Sequence, residues 1–282
     1  MMLLHITLLV FAGFVASYIA RLLANQLPRR LQRTWILESC ELLSIPSDKW
    51  LAMGSVNKGR SLQCERCHHP LGYKSTIPLL GNFWPRRCPN CQRVALPLIY
   101  LVADIFLCFT PYLCEHYYGI SIKATLLLFL TVILVVLFII DYLHQLLPDQ
   151  LTLLLLWVGL CTSTIHIFVS PNQAIFGAVF GYLFFYLLSK VFYLITKREG
   201  MGYGDFKLLA ALGAWVGWMM VPVLIVLASV LSLLTAIYFV VTKQALNKMF
   251  PFGPYLAISG WITFLYGDTL NHWYLNMVGF MT

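Results

Sequence analysis

Charge is scarce in this chain. Asp, Glu, Lys and Arg make up 11% of its 282 residues, while 60% are hydrophobic; ordinary soluble domains carry about 25% charged residues. That shortage excludes a water-soluble domain and leaves the bilayer as the solvent. Basic residues are missing altogether before Arg21, and no small-residue cleavage site follows the first apolar run. A secretory signal needs both, so the run reads as a retained membrane anchor. Acidic residues number only eleven, and no half of the sequence repeats the other.

What is present is a series of apolar runs near 2–20, 96–116, 124–140, 150–169, 173–195, 207–219, 221–241 and 253–278. Crossing the hydrocarbon takes about 20 such residues per helix. The uncharged stretch from Leu208 to Thr242 is too long for one span and is divided near Gly217 and Pro222, residues that break or kink helices. The expectation is an all-α polytopic membrane protein of about eight transmembrane helices, the sixth short. It has a first span over 1–20, a cytosolic insertion over 21–95 and a transmembrane domain over 96–282.

The formal charge of +8 does not point to nucleic acid, because twelve of the nineteen Lys and Arg fall between Arg21 and Arg93, directly after an anchor. The positive-inside rule accounts for that bias and places this segment in the cytosol. Both termini are then expected outside. The loops near 141–149, 197–206 and 242–252 are expected inside, with Lys197, Arg198, Lys243 and Lys248.

Within the insertion lie Cys64-Glu-Arg-Cys67 and, twenty residues on, Cys88-Pro-Asn-Cys91. Two C-x-x-C knuckles so spaced can surround one tetrahedral Zn²⁺ with four thiolates. The competing pair of disulfides is disfavoured in a reducing compartment. Zinc here would be structural, contributing folding free energy that a short polar segment lacks. His68 and His69 read as surface residues, and Cys40, Cys108, Cys114 and Cys161 as small apolar packing residues.

With acidic residues so few, a carboxylate at the membrane needs a reason, since a charged Asp at mid-span costs about 2.5–3.5 kcal/mol on insertion scales. Asp141 ends the run Thr131–Ile140, and Asp205 sits in Gly200-Met-Gly-Tyr-Gly-Asp-Phe-Lys207 at the entrance to another. Both fall at the expected cytosolic boundary. Two carboxylates brought together can share a proton, the ionised one activating water and the protonated one polarising a carbonyl. Gly202 and Gly204 lack a Cβ and would let a substrate backbone come close. Taken singly, either aspartate reads first as a helix cap or interface marker; the combination changes that.

Gly-x-Gly-Asp on one helix with an earlier Asp on another resembles the GxGD intramembrane aspartic proteases. The stretches Ile140–Thr152, Arg198–Trp215 and Pro251–Ala257, with the paired cysteine knuckles, resemble the bacterial type IV prepilin peptidase family over most of residues 60–262. That resemblance implies that Asp141 and Asp205 are the catalytic pair, with Gly202, Gly204, Lys207 and Asp149 supporting; Asp149 reads otherwise as an N-terminal helix cap. It also implies type IV prepilins and type II secretion pseudopilins as substrates, the bacterial inner membrane as location, and N-methylation of the new N-terminus with S-adenosylmethionine.

The chain departs from the family at Pro85-Arg-Arg87, Leu96-Pro-Leu-Ile-Tyr100 and Ser17-Tyr-Ile-Ala20, which leaves open a peptidase without methyl transfer. Asp104, one helical turn after Tyr100, reads either as a stand-in for the family glutamate missing there or as a hydrogen-bonded acid in a wet interior. Within the pair, helix ends assign the proton to Asp141, which follows its run, and the charge to Asp205, which precedes one. A proton-coupled transporter is the rival reading. It is opposed by the missing repeat and by aspartates at one surface instead of the midplane.

Overall fold

The computed structural model describes residues 2–44, 77–79, 88, 90–92, 97–198, 200–242 and 251–278. The described residues form α1 (Met2–Leu42), α2 (Leu98–Tyr118), α3 (Ile122–His144), α4 (Asp149–Thr164), α5 (Pro171–Thr196), α6 (Tyr203–Val216), a 3₁₀ turn (Trp218–Met220), α7 (Val221–Val241) and α8 (Gly253–Val278). No strand occurs among them. The all-α expectation holds, and the break expected near Gly217 and Pro222 is real. Gly217 takes φ +81° and ends α6, and Pro222 falls in the first turn of α7, where a missing N–H costs nothing.

Five segments among the described residues are long and apolar enough to cross a membrane: Thr7–Leu42, Leu98–Tyr118, Ile122–His144, Pro171–Thr196 and Trp218–Val241. At about 1.5 Å per residue, the 16 residues of α4 and the 14 of α6 reach only about 24 and 21 Å, less than the roughly 30 Å hydrocarbon core. α1 does not stop at residue 20 but runs 41 residues to Leu42.

The chain forms two compact units, Met1–Ile140 and Asp141–Thr282. In the first, α1 packs along α2 around a buried ion pair. Arg21, expected in the polar insertion, is 2% exposed inside α1, and Asp104 is 1% exposed on α2. Arg21 Nε donates to Asp104 Oδ1 at 2.9 Å and its Nη2 to Oδ2, the bidentate geometry that suits guanidinium to carboxylate. Ser17 Oγ, one turn before Arg21, donates to Oδ1 at 2.5 Å, and the Leu79 backbone N–H donates to Oδ2 at 2.8 Å. The Arg21 guanidinium also lies 5.6 Å from the Tyr100 ring centroid, within cation–π range. Asp104 is thus hydrogen-bonded in the interior, with a basic partner 83 residues earlier in the chain.

In the second unit, α6 packs against α4, α5 and α8, and from Asp205 to Trp215 every residue except Lys207 is buried. The closest approach is to α5. A Cβ on Gly177 would lie 2.2 Å from the Gly213 carbonyl oxygen, and one on Gly213 equally close to that of Gly177, so the two backbones touch where neither residue has a side chain. Trp215 fills the space beside Gly159 and donates its indole N–H to the Leu155 carbonyl at 2.9 Å. α5 is started by Ser170 and Gln173, which form a reciprocal capping box with Pro171 at the first position.

Removing one partner of a buried pair leaves an uncompensated charge, at a cost of about 3–5 kcal/mol. Asp104→Leu is therefore expected to lower the thermal unfolding midpoint in detergent. Arg21→Met combined with Asp104→Leu should recover part of that loss.

Candidate active site

Three helix ends meet in the unit Asp141–Thr282. Asp141 lies in the last turn of α3, Asp205 in the first turn of α6, and Gly253 opens α8. Both aspartates are buried, and the charge of Asp141 is felt at Asp205. The sequence-predicted pair is therefore brought together by separate helices, within electrostatic reach.

Gly253, to which the sequence reading gave no role, closes the site. A Cβ there would lie 2.5 Å from Asp141 Oδ2. Its absence lets the first turn of α8 stand directly against the carboxylate. The buried Oδ2 has no hydrogen-bond partner among the described residues. The signal for Gly253 was the Pro251-Phe-Gly-Pro254 string, which marks an abrupt helix start but does not say which carboxylate it faces.

The two glycines of the Gly-x-Gly-Asp element turn out to do different things. Around Gly202, the residue before α6, an added Cβ would meet only Asp205 Oδ2, at 3.9 Å. That is space beside the carboxylate, as the sequence reading expected of both. Gly204 is covered: a Cβ there would meet the Cβ of Leu147 at 2.7 Å. Leu147, also missed by sequence, sits in the short connection between α3 and α4. Nothing in a lone leucine beside a proline announces such a contact.

Asp149 is the first residue of α4 and makes no cap; Pro148 holds the capping position without a side-chain bond. Its carboxylate accepts from Lys207 Nζ at 2.6 Å. The partly exposed pair ties the start of α4 to α6, on a side of α6 away from Asp205, since two residues advance about 200° around a helix.

The tertiary structure adds burial to the helix-end influences on Asp205. Burial pushes the Asp205 carboxyl up to about 7, and the neighbouring charge of Asp141 adds to the rise. At Asp141 the negative end of α3 is met by the positive end of α8 beginning at Gly253. Burial favours the neutral form of Asp205.

Of the four knuckle cysteines, Cys64 and Cys67 lie outside the described residues. Cys88 and Cys91 form a tight turn: the Gln92 N–H donates to the Cys88 carbonyl at 2.8 Å, and Gln92 takes a left-handed φ of +54°. Among the described residues no group of three or more His, Cys, Asp or Glu could hold a metal.

Comparison with known proteins agrees with this geometry. Residues 128–237, which include both aspartates, match the type IV leader peptidase family. Proteins named prepilin leader peptidase/N-methyltransferase are similar along nearly the whole chain. The Pseudomonas aeruginosa protein is 36% identical over 276 residues, 96% of this chain and 93% of that one. The Aeromonas hydrophila protein is 39% identical over 273 residues, 94% and 92% of the two chains. The Legionella pneumophila protein is 34% identical over 255 residues, 89% and 87%. No solved structure matches. The molecule is a multi-pass membrane peptidase. It belongs to the type IV leader peptidase family.

Gly253→Ala would force a methyl group onto Asp141 Oδ2. Since a displacement of about 1 Å at a reacting group can cost about 100-fold in rate, peptidase turnover by this variant is expected to fall at least about tenfold while the protein still inserts and folds. An assay of purified protein, alongside its thermal unfolding, checks this.

Proposed function

We propose that this protein removes the leader from type IV prepilins and type II secretion pseudopilins by aspartic-protease chemistry at the cytosolic face of the bacterial inner membrane. The observation that carries the reading is the placement of Asp141 and Asp205 on separate helix ends, both buried and with the charge of Asp141 felt at Asp205, in a chain whose relatives are named for prepilin cleavage.

Asp141, ionised and facing the start of α8, takes a proton from water. The resulting hydroxide attacks the scissile carbonyl while Asp205 gives its proton to the carbonyl oxygen. The tetrahedral intermediate collapses as Asp141 passes the proton taken from water to the leaving amine and the former carbonyl oxygen returns its proton to Asp205, breaking the peptide bond and restoring the pair. The space at Gly202 lets the substrate backbone lie beside Asp205. The names of the relatives also support methylation of the new N-terminal amine, with S-adenosylmethionine as the methyl donor. For the insertion we propose one structural Zn²⁺ held by Cys64, Cys67, Cys88 and Cys91, supported by the spacing and by the tight Cys88–Cys91 turn. The distribution of Lys and Arg supports both termini outside and the catalytic ends inside.

Asp141→Asn and Asp205→Asn are each expected to abolish leader cleavage of a purified prepilin while inserting normally. Robust cleavage by either would end the dyad reading. In the wild-type enzyme the proton on Asp205 is kept up to about pH 7. Above that both carboxylates are ionised and the acid is lost. The alkaline limb of the pH–rate profile should therefore fall near pH 7, well above the ordinary carboxylate value of about 4. Elemental analysis of reduced protein should return one zinc per chain, lost when Cys88 and Cys91 are both replaced by Ser.

A further inference from the structure

We infer that Leu147 is a positioning residue for leader cleavage: its side chain is the spacer that holds the start of α6 against the start of α8, and so fixes how Asp205 meets Asp141. The inference rests on the reading of those two aspartates as the catalytic pair.

Two bare Cα atoms face the Leu147 side chain. A Cβ on Gly204 would lie 2.7 Å from Leu147 Cβ and 3.3 Å from its Cδ1, and a Cβ on Gly253 would lie 3.2 Å from the same Cδ1. The leucine therefore fills the notch between two helix starts, one carrying Asp205 in the next position and the other standing against Asp141. Glycine at both places is what lets a branched side chain enter. Because the atoms are already closer than any Cβ would allow, the spacing of the two helix starts is set by the width of this one side chain.

The connection that carries Leu147 is also fixed at both ends. Gln145, in a left-handed conformation at φ +54°, donates its N–H to the Asp141 carbonyl at 2.8 Å. Pro148 limits the backbone on the other side, and the next residue, Asp149, is tied to Lys207 of α6 at 2.6 Å. Only four residues separate α3 from α4. The leucine is held to α3 at one end and to α6 at the other. It is therefore a stiff shim, built from the segment that follows one aspartate and resting on the residue that precedes the other.

The test uses the full-length protein in detergent or nanodiscs and a purified prepilin, with kcat and KM determined separately. Shortening the spacer in Leu147→Ala should lower kcat by about 10- to 100-fold and leave KM within about twofold. Leu147→Met, of similar volume, should restore kcat to within a few fold. Gly204→Ala displaces the same spacer from the other side and should also lower kcat at least about tenfold, so the proposal stands or falls even where Leu147→Ala does not fold. Wild-type kcat in Leu147→Ala or in Gly204→Ala, loss expressed only in KM, or failure of Leu147→Met to rescue would each overturn the proposal. Cleavage surviving in Asp141→Asn or Asp205→Asn would instead overturn the catalytic pair itself, whatever the Leu147 variants show.

Discussion

The burial of Asp141 beside Asp205 is the constraint around which the second unit is arranged. Two acids in a medium of low polarity repel each other when both are charged and lose solvation when either is. The arrangement answers with helix ends, since the starts of α6 and α8 bring unpaired backbone N–H groups to the site. Helix starts can crowd that closely only where side chains are missing, which is why glycine precedes Asp205 and opens α8. α6 must then be short and wrapped by other helices, because a longer apolar helix in lipid would not present its first turn to a polar interior.

The carboxylate of the first unit follows the opposite strategy. Asp104 is neutralised and saturated: Arg21 grips both oxygens, and Ser17 and the Leu79 backbone add further donors. Asp141 keeps an oxygen without a hydrogen-bond partner among the described residues. A carboxylate with its lone pairs occupied is inert towards water and holds helices together. One with an oxygen to spare can accept a proton, which is the property the proposed chemistry requires. The same side chain is structural or reactive according to how many donors surround it.

Much of this was legible in the sequence because it depends on local order. Of the eight helices among the described residues, all but the over-long α1 follow the apolar runs, and the break between α6 and α7 was announced by Gly217 and Pro222. Asp141 and Asp205 stood out as rare charges against an apolar background. Contacts across the chain were not legible. Arg21 read as part of a basic cytosolic stretch, since only the packing of α1 on α2 shows that Asp104 waits for it. The surroundings of the two aspartates were also out of reach: each was judged by its own helix, while burial, the start of α8 and the other aspartate act on them as well. Gly204 read like Gly202 because nothing in the string distinguishes a bare Cα that faces open space from one that faces a leucine.

The length of α1 has a consequence for how this protein can change over time. A helix of 41 residues is about 62 Å long, roughly twice what the hydrocarbon core needs. Its second half therefore continues the helix that carries Ser17 and Arg21, with Pro28 inside it as a place for a bend. In a loop, one inserted residue is absorbed locally. In a continuous helix it turns everything beyond it by about 100° and advances it by about 1.5 Å. Between Arg21 and the buried Cys40, gains and losses of sequence should thus be tolerated mainly in near-whole turns, of seven or eleven residues, which preserve the facing of both ends. Ala24, Asn25 and Pro28 are buried within this stretch, so both its composition there and its length are constrained.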